Sequence, residues 1–166
     1  MNTPWGADWG WSLPLIALTV TIHVAAIIGI GVLLERVRMR IERRRVGRLA
    51  SALFTITMIG AVGWALALLL GLEAVIWAVT YLLLGAIDTP ADAMLYSVGS
   101  MTTLGSSGLQ LERHWRMMGA LEAANGVLLF GISTAFLATI LSEFRTWMRR
   151  LAGRPSETRT SPRASS

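Results

Sequence analysis

Three apolar runs, at 13–34, 49–87 and 117–141, constrain this chain more than any other feature. A helix needs about 20 such residues to cross a hydrocarbon core about 30 Å thick. Inside that core the backbone must satisfy its own polar groups. The hydrophobic share of the chain, 54%, exceeds the roughly 45–50% of an ordinary soluble domain. The chain therefore reads as an all-α integral membrane protein with three transmembrane helices.

Arginine placement orients the spans. All fifteen basic residues are arginine, against ten acids, for a net charge of +5. Seven lie in 35–48 and six from Arg145 onward, whereas the leader 1–12 carries only Asp8. Cytoplasmic loops collect positive charge, so the N-terminus is expected outside and the C-terminus inside. Trp5, Trp9, Trp11 and Trp115 then fall on the outer face, in the interfacial belt that tryptophan favours. The leader has no basic residue, so the first run reads as a retained helix and not a cleaved signal. The resulting division is leader 1–12, first span 13–34, basic linker 35–48, long outer helix 49–87, polar insert 88–116, inner helix 117–150 and disordered tail 151–166.

The second run would make a helix of about 58 Å, more than one crossing needs. Two spans split at Gly71 would put the C-terminal arginines outside, so one long helix, tilted or kinked at Gly71, is preferred. Glu73 beside it is an ionisable group at membrane depth, expected to be paired or water-facing. His23 reads as a packed, hydrogen-bonded residue of the first span.

The insert carries the distinctive pattern. Thr89, Pro90 and Asp92 form a helix start: a cap, a proline suited to the first helical position, and an acid at the positive end of the dipole. A helix continuing to Thr102 has about three turns, too short to span, so it is expected to dip in and return. Its carbonyl end favours a cation. The following stretch Thr102, Thr103, Leu104, Gly105, Ser106, Ser107 and Gly108 offers carbonyls and hydroxyls of the kind that replace a cation's hydration shell.

Over about residues 76–141, the order of capped short helix, Thr-Thr-Leu-Gly, outer linker with Trp115 and long helix resembles the pore-loop tetrameric cation channels, especially small bacterial potassium-channel-like members. Thr103, Leu104 and Gly105 match the first three filter positions of that family. Ser106 stands where the family has an aromatic residue, Ser107 where it has a second glycine, and Gly108 where it has aspartate. The resemblance implies a homotetramer with a re-entrant pore helix and filter loop between the second and third spans, in a bacterial cytoplasmic membrane. It implies conduction of a permeant monovalent cation, K+ or Na+, with selectivity loosened by the missing glycine. The alternative is a non-conducting accessory or assembly subunit on the same scaffold.

Glu122, Asn125, Leu129, Ser133, Phe136 and Ile140 recur at three- and four-residue steps and share one helical face. They are expected to line the pore, with Glu122 supporting the short helix or adding negative charge, and Phe136 and Ile140 forming a hydrophobic constriction. Helix-to-helix hydrogen bonding is the competing role for Glu122 and Asn125. Gly126 and Gly131 are candidate hinges or points of close packing, with packing preferred. The arginines from Arg36 to Arg48 form a topology signal that also suits anionic lipid headgroups. No cysteine, no metal-site spacing and no phosphate-cradling loop is present, so no enzyme, cofactor, metal beyond the permeant cation, or nucleic-acid partner is expected.

Overall fold

The computed structural model describes residues 5–42, 48–105 and 111–152. They form four helices: α1 (Trp5–Glu42), α2 (Arg48–Leu83), α3 (Pro90–Met101) and α4 (Arg116–Ala152). Among the described residues, α1, α2 and α4 are long and apolar enough to cross a membrane. The chain is an all-helical membrane protein. Its outward faces carry Ile28, Leu33, Ile56, Trp64 and Leu68 exposed, as lipid-facing surfaces should, because hydrocarbon imposes no penalty on them.

Helix α1 begins within the leader and continues into the basic linker, so the first span is longer than 13–34. Helix α2 runs unbroken through Gly71, and it stops short of residue 87. The stop has a local cause. Gly85 adopts φ +64, its N–H donates to the Leu82 carbonyl at 3.1 Å, and the Ala86 N–H donates to the Tyr81 carbonyl at 2.9 Å. This pair of bonds satisfies the last carbonyls of a helix when the following residue is left-handed, a conformation glycine reaches without a Cβ penalty. Helix α3 starts as its sequence requires: Thr89 is extended, its hydroxyl accepts the Asp92 N–H at 3.1 Å, Pro90 opens the helix and Asp92 lies in its first turn.

Side-chain pairings set the relative directions. Thr19 meets Asn125 and His23 meets Ser133, so α1 and α4 run parallel. His23 also meets Glu73, while Tyr81 meets Glu122, so α2 runs antiparallel to both. The arginine-bearing ends of α1 and α4 therefore share one end of the bundle, where Arg38 and Glu143 lie 3.9 Å apart. Two apolar clusters stack along the bundle. One is built on Trp77, Tyr81, Met101, Met118 and Leu129, the other on Val62, Leu66 and Ile140.

Candidate functional site

Helix α3 is wedged between α2 and α4, burying Ala93, Ser97, Gly99, Ser100 and Met101. Ser97 contacts Glu122, and Met101 lies against Gly126, one turn further along each helix. α3 thus runs in the same direction as α4 at a fixed register. Its first turn lies beside the start of α4, and the chain is back there by Leu111, which lies against Gly119.

The return begins in a tight turn. The Thr102 N–H donates to the Val98 carbonyl and the Thr103 N–H to that of Ser100, each at 3.0 Å. The Gly105 N–H reaches back to the Gly99 carbonyl at 3.1 Å. Thr103 takes φ 58 and Gly105 φ 78. The glycine adopts this freely, whereas a β-branched threonine there is a strained exception of the sort concentrated at functional sites. Thr102, Thr103, Leu104 and Gly105 are all exposed on the protomer. Ser106, Ser107 and Gly108 lie outside the described residues. Beside the turn an open apolar cleft of about 520 Å³ is bounded by α2 at Gly71 and Ala74, by Met101 and Thr103, and by Val127 and Phe130 of α4.

Behind the turn lies a buried polar framework. Tyr81 donates to Glu122 Oε2 at 2.7 Å, and Ser97 contacts Glu122 Oε1 at 2.5 Å and the Ala74 carbonyl at 2.8 Å. Tyr96 packs edge-on against Tyr81 with ring centroids 5.3 Å apart. Further along the bundle, Asn125 Nδ2 donates to Thr19 Oγ1 at 2.9 Å. His23 Nδ1 lies 3.0 Å from Glu73 Oε1, and its Nε2 lies 2.9 Å from Ser133 Oγ. The ring joins α1, α2 and α4.

This placement corrects the expected pore-lining face. Glu122, Asn125, Leu129, Ser133 and Ile140 are buried within the single chain, and Phe136 packs beside Ile140 in the second apolar cluster. A residue lining a pore shared between separate chains would be exposed on one protomer. The physical reason lies in the partners: Glu122, Asn125 and Ser133 hydrogen-bond to Tyr81, Ser97, Thr19 and His23, and among their described side-chain atoms only Asn125 Oδ1 is buried without a partner. Glu73, expected to be paired or water-facing, is paired, and its partner is His23, which is packed and hydrogen-bonded as expected. Gly126 is a point of close packing: a Cβ there would stand 2.3 Å from the Met101 carbonyl oxygen. Gly131 has open space around it, and α4 is continuous through both glycines. Sequence reasoning overlooked Thr19, Tyr81 and Ser97. Their signal was available, since each is a polar group at helical spacing from an apolar face.

Residues 68–143 match a family model described as "Ion channel". That match places residues 68–143 in the pore-loop ion channel superfamily. No curated protein and no solved structure matches it. The matched segment takes in the second half of α2, all of α3 and most of α4, and it leaves α1 outside. The exposed turn at Thr102–Gly105 and its buried support both fall within it, apart from the contributions of Thr19 and His23.

Proposed function

We propose that the protein is a homotetrameric cation channel in which α3 is a re-entrant pore helix and the filter begins at Thr103. The observation that carries this reading is the direction of α3. It runs with α4 yet is only 12 residues long, about 18 Å, so its carbonyl end stops at mid-depth and the chain turns back there. That end carries partial negative charge, and the exposed turn directly after it offers threonine hydroxyls and backbone carbonyls. Such groups substitute for the water around a monovalent cation, K+ or Na+. A single turn encloses nothing; closed rotational symmetry of four copies supplies the remaining walls.

The conduction path below the filter then follows the exposed stripe of α4 next to Thr103, through Val127, Gly131, Thr134 and Ala138. Both arginine-rich helix ends lie at one end of the bundle, which supports a cytoplasmic C-terminus. Arg36, Arg38 and Arg40 there suit anionic lipid headgroups. The chemistry is transport along a pore, with no role for an enzyme's catalytic group or a bound cofactor.

The test is the reversal potential of purified protein in planar bilayers under potassium/sodium and then potassium/chloride gradients. A cation current that follows the potassium gradient and vanishes in Gly105→Trp is expected, and the sodium/potassium ratio reports how far Ser106 and Ser107 relax selectivity. Absence of current from verified tetramers across voltage and pH would overturn the reading in favour of a non-conducting assembly subunit.

A further inference from the structure

The polar cluster behind α3 offers fewer protons than its contacts need, and counting them fixes the chemical form of Glu122. Ser97 Oγ lies 2.8 Å from the Ala74 carbonyl oxygen and 2.5 Å from Glu122 Oε1, while Tyr81 donates to Oε2 at 2.7 Å. A serine hydroxyl has one hydrogen and two lone pairs. Against an ionised Glu122 it would serve one of the two oxygens and present a lone pair to the other at contact distance. Both contacts become hydrogen bonds when Glu122 is a carboxylic acid. Its Oε1–H donates to Ser97 Oγ, Ser97 donates to the Ala74 carbonyl, and Tyr81 donates to Oε2. Glu122, Ser97 and Tyr81 are each 0% exposed. Among the described residues the two carboxyl oxygens meet hydroxyls and no cation, the setting in which a buried ion is most costly.

We propose that Glu122 is a neutral, hydrogen-donating positioning residue that fixes α3 against α2 and α4 and, given the channel reading above, holds the filter turn in place. The geometry makes the linkage specific. Glu122 and Gly126 are one turn apart on α4, and their partners Ser97 and Met101 are one turn apart on α3, so the two contacts together set both the rotation and the rise of α3 on α4. The bond from Ser97 to the Ala74 backbone extends the clamp to α2. An acid in this place acts as a two-way connector, accepting from one helix and donating to another, which an ionised carboxylate cannot do.

The experiment uses the full chain in lipid at neutral pH and compares wild type with Glu122→Gln and Glu122→Ala. Glutamine reproduces the connector, with an amide N–H toward Ser97 and a carbonyl toward Tyr81. Infrared difference spectra of wild type against Glu122→Gln should show a protonated carboxyl C=O band that the variant lacks. In reconstituted vesicles, Glu122→Gln should keep the rubidium/sodium flux ratio within about threefold of wild type, while Glu122→Ala, which removes the carboxyl that Tyr81 and Ser97 contact, should lose it by about tenfold or more. If Glu122→Gln does not fold, Tyr81→Phe gives the same reading, because removing the donor to Oε2 should shift that C=O band to higher frequency. A carboxylate band in place of the acid band overturns the proposal, and so does a Glu122→Gln flux ratio or thermal stability as poor as that of Glu122→Ala. Absence of flux in wild type itself would count against the channel reading alone, since the infrared band and the ranking of thermal stabilities still decide the form and role of Glu122.

Discussion

Gly126→Ala is the sharpest perturbation the fold allows at the site. The added Cβ would stand 2.3 Å from the Met101 carbonyl oxygen, 2.6 Å from its Cα and 2.8 Å from its carbonyl carbon. All three are backbone atoms of the last turn of α3, so no side chain can swing aside to relieve the overlap. Relief requires α3 and α4 to move apart, with Ser97–Glu122 and the turn at Thr103 moving with them. Overpacking of this kind costs about 1–3 kcal/mol, and backbone on both sides places this site at the upper end. Better helix propensity of alanine returns at most about 1 kcal/mol. The net expectation is a loss of about 2 kcal/mol, roughly a thirtyfold change in an equilibrium constant. Gly131→Ala is the internal control, because nothing lies within 4 Å of its Cβ position; it should be neutral or stabilising by less than about 1 kcal/mol. Thermal lifetime of the purified protein in detergent reads both effects. If Gly126→Ala is as stable as Gly131→Ala, α3 does not seat on α4 as the close approach requires.

Other sites give independent checks. Thr19→Val leaves Asn125 Nδ2 without its partner and should cost about 1–3 kcal/mol, whereas Thr19→Val with Asn125→Leu should recover much of that loss; a double-mutant cycle on thermal stability measures the coupling, and additive losses would mean the two side chains do not meet. Ser133→Ala strips His23 Nε2 of its partner and should destabilise by a similar amount, about 1–3 kcal/mol, while Phe130→Ala on the exposed face should change stability far less in the isolated protomer. Thr89→Ala removes the cap of α3 and should cost about 1 kcal/mol, with Thr89→Ser close to wild type; equal losses in both would show that the hydroxyl is not the operative group.

The architecture was legible where local chemistry dictates it. Three apolar runs of spanning length can do little else in water or lipid but form membrane helices, and Thr89-Pro90 with Asp92 can only begin one. The end of α2 was misjudged because apolarity continues through Leu84 and Ile87 while the helix does not: Gly85 ends it through its backbone, a signal that hydropathy does not register. The face of α4 that carries Glu122, Asn125 and Ser133 was the larger misreading. A polar stripe on one membrane helix is ambiguous, because water and another helix satisfy it equally well. The complement decides between them. Thr19 and His23 lie one turn apart on α1, and Glu73 and Tyr81 lie two turns apart on α2, so each neighbouring helix carries polar groups of its own at helical spacing. When every helix of a bundle brings such groups, they can satisfy most of one another inside the protein; on the α4 stripe Asn125 Oδ1 alone is left buried without a partner among the described residues. The same reasoning moves the search for the conduction path to the side of α4 where Val127, Gly131 and Thr134 are exposed, next to the turn at Thr103.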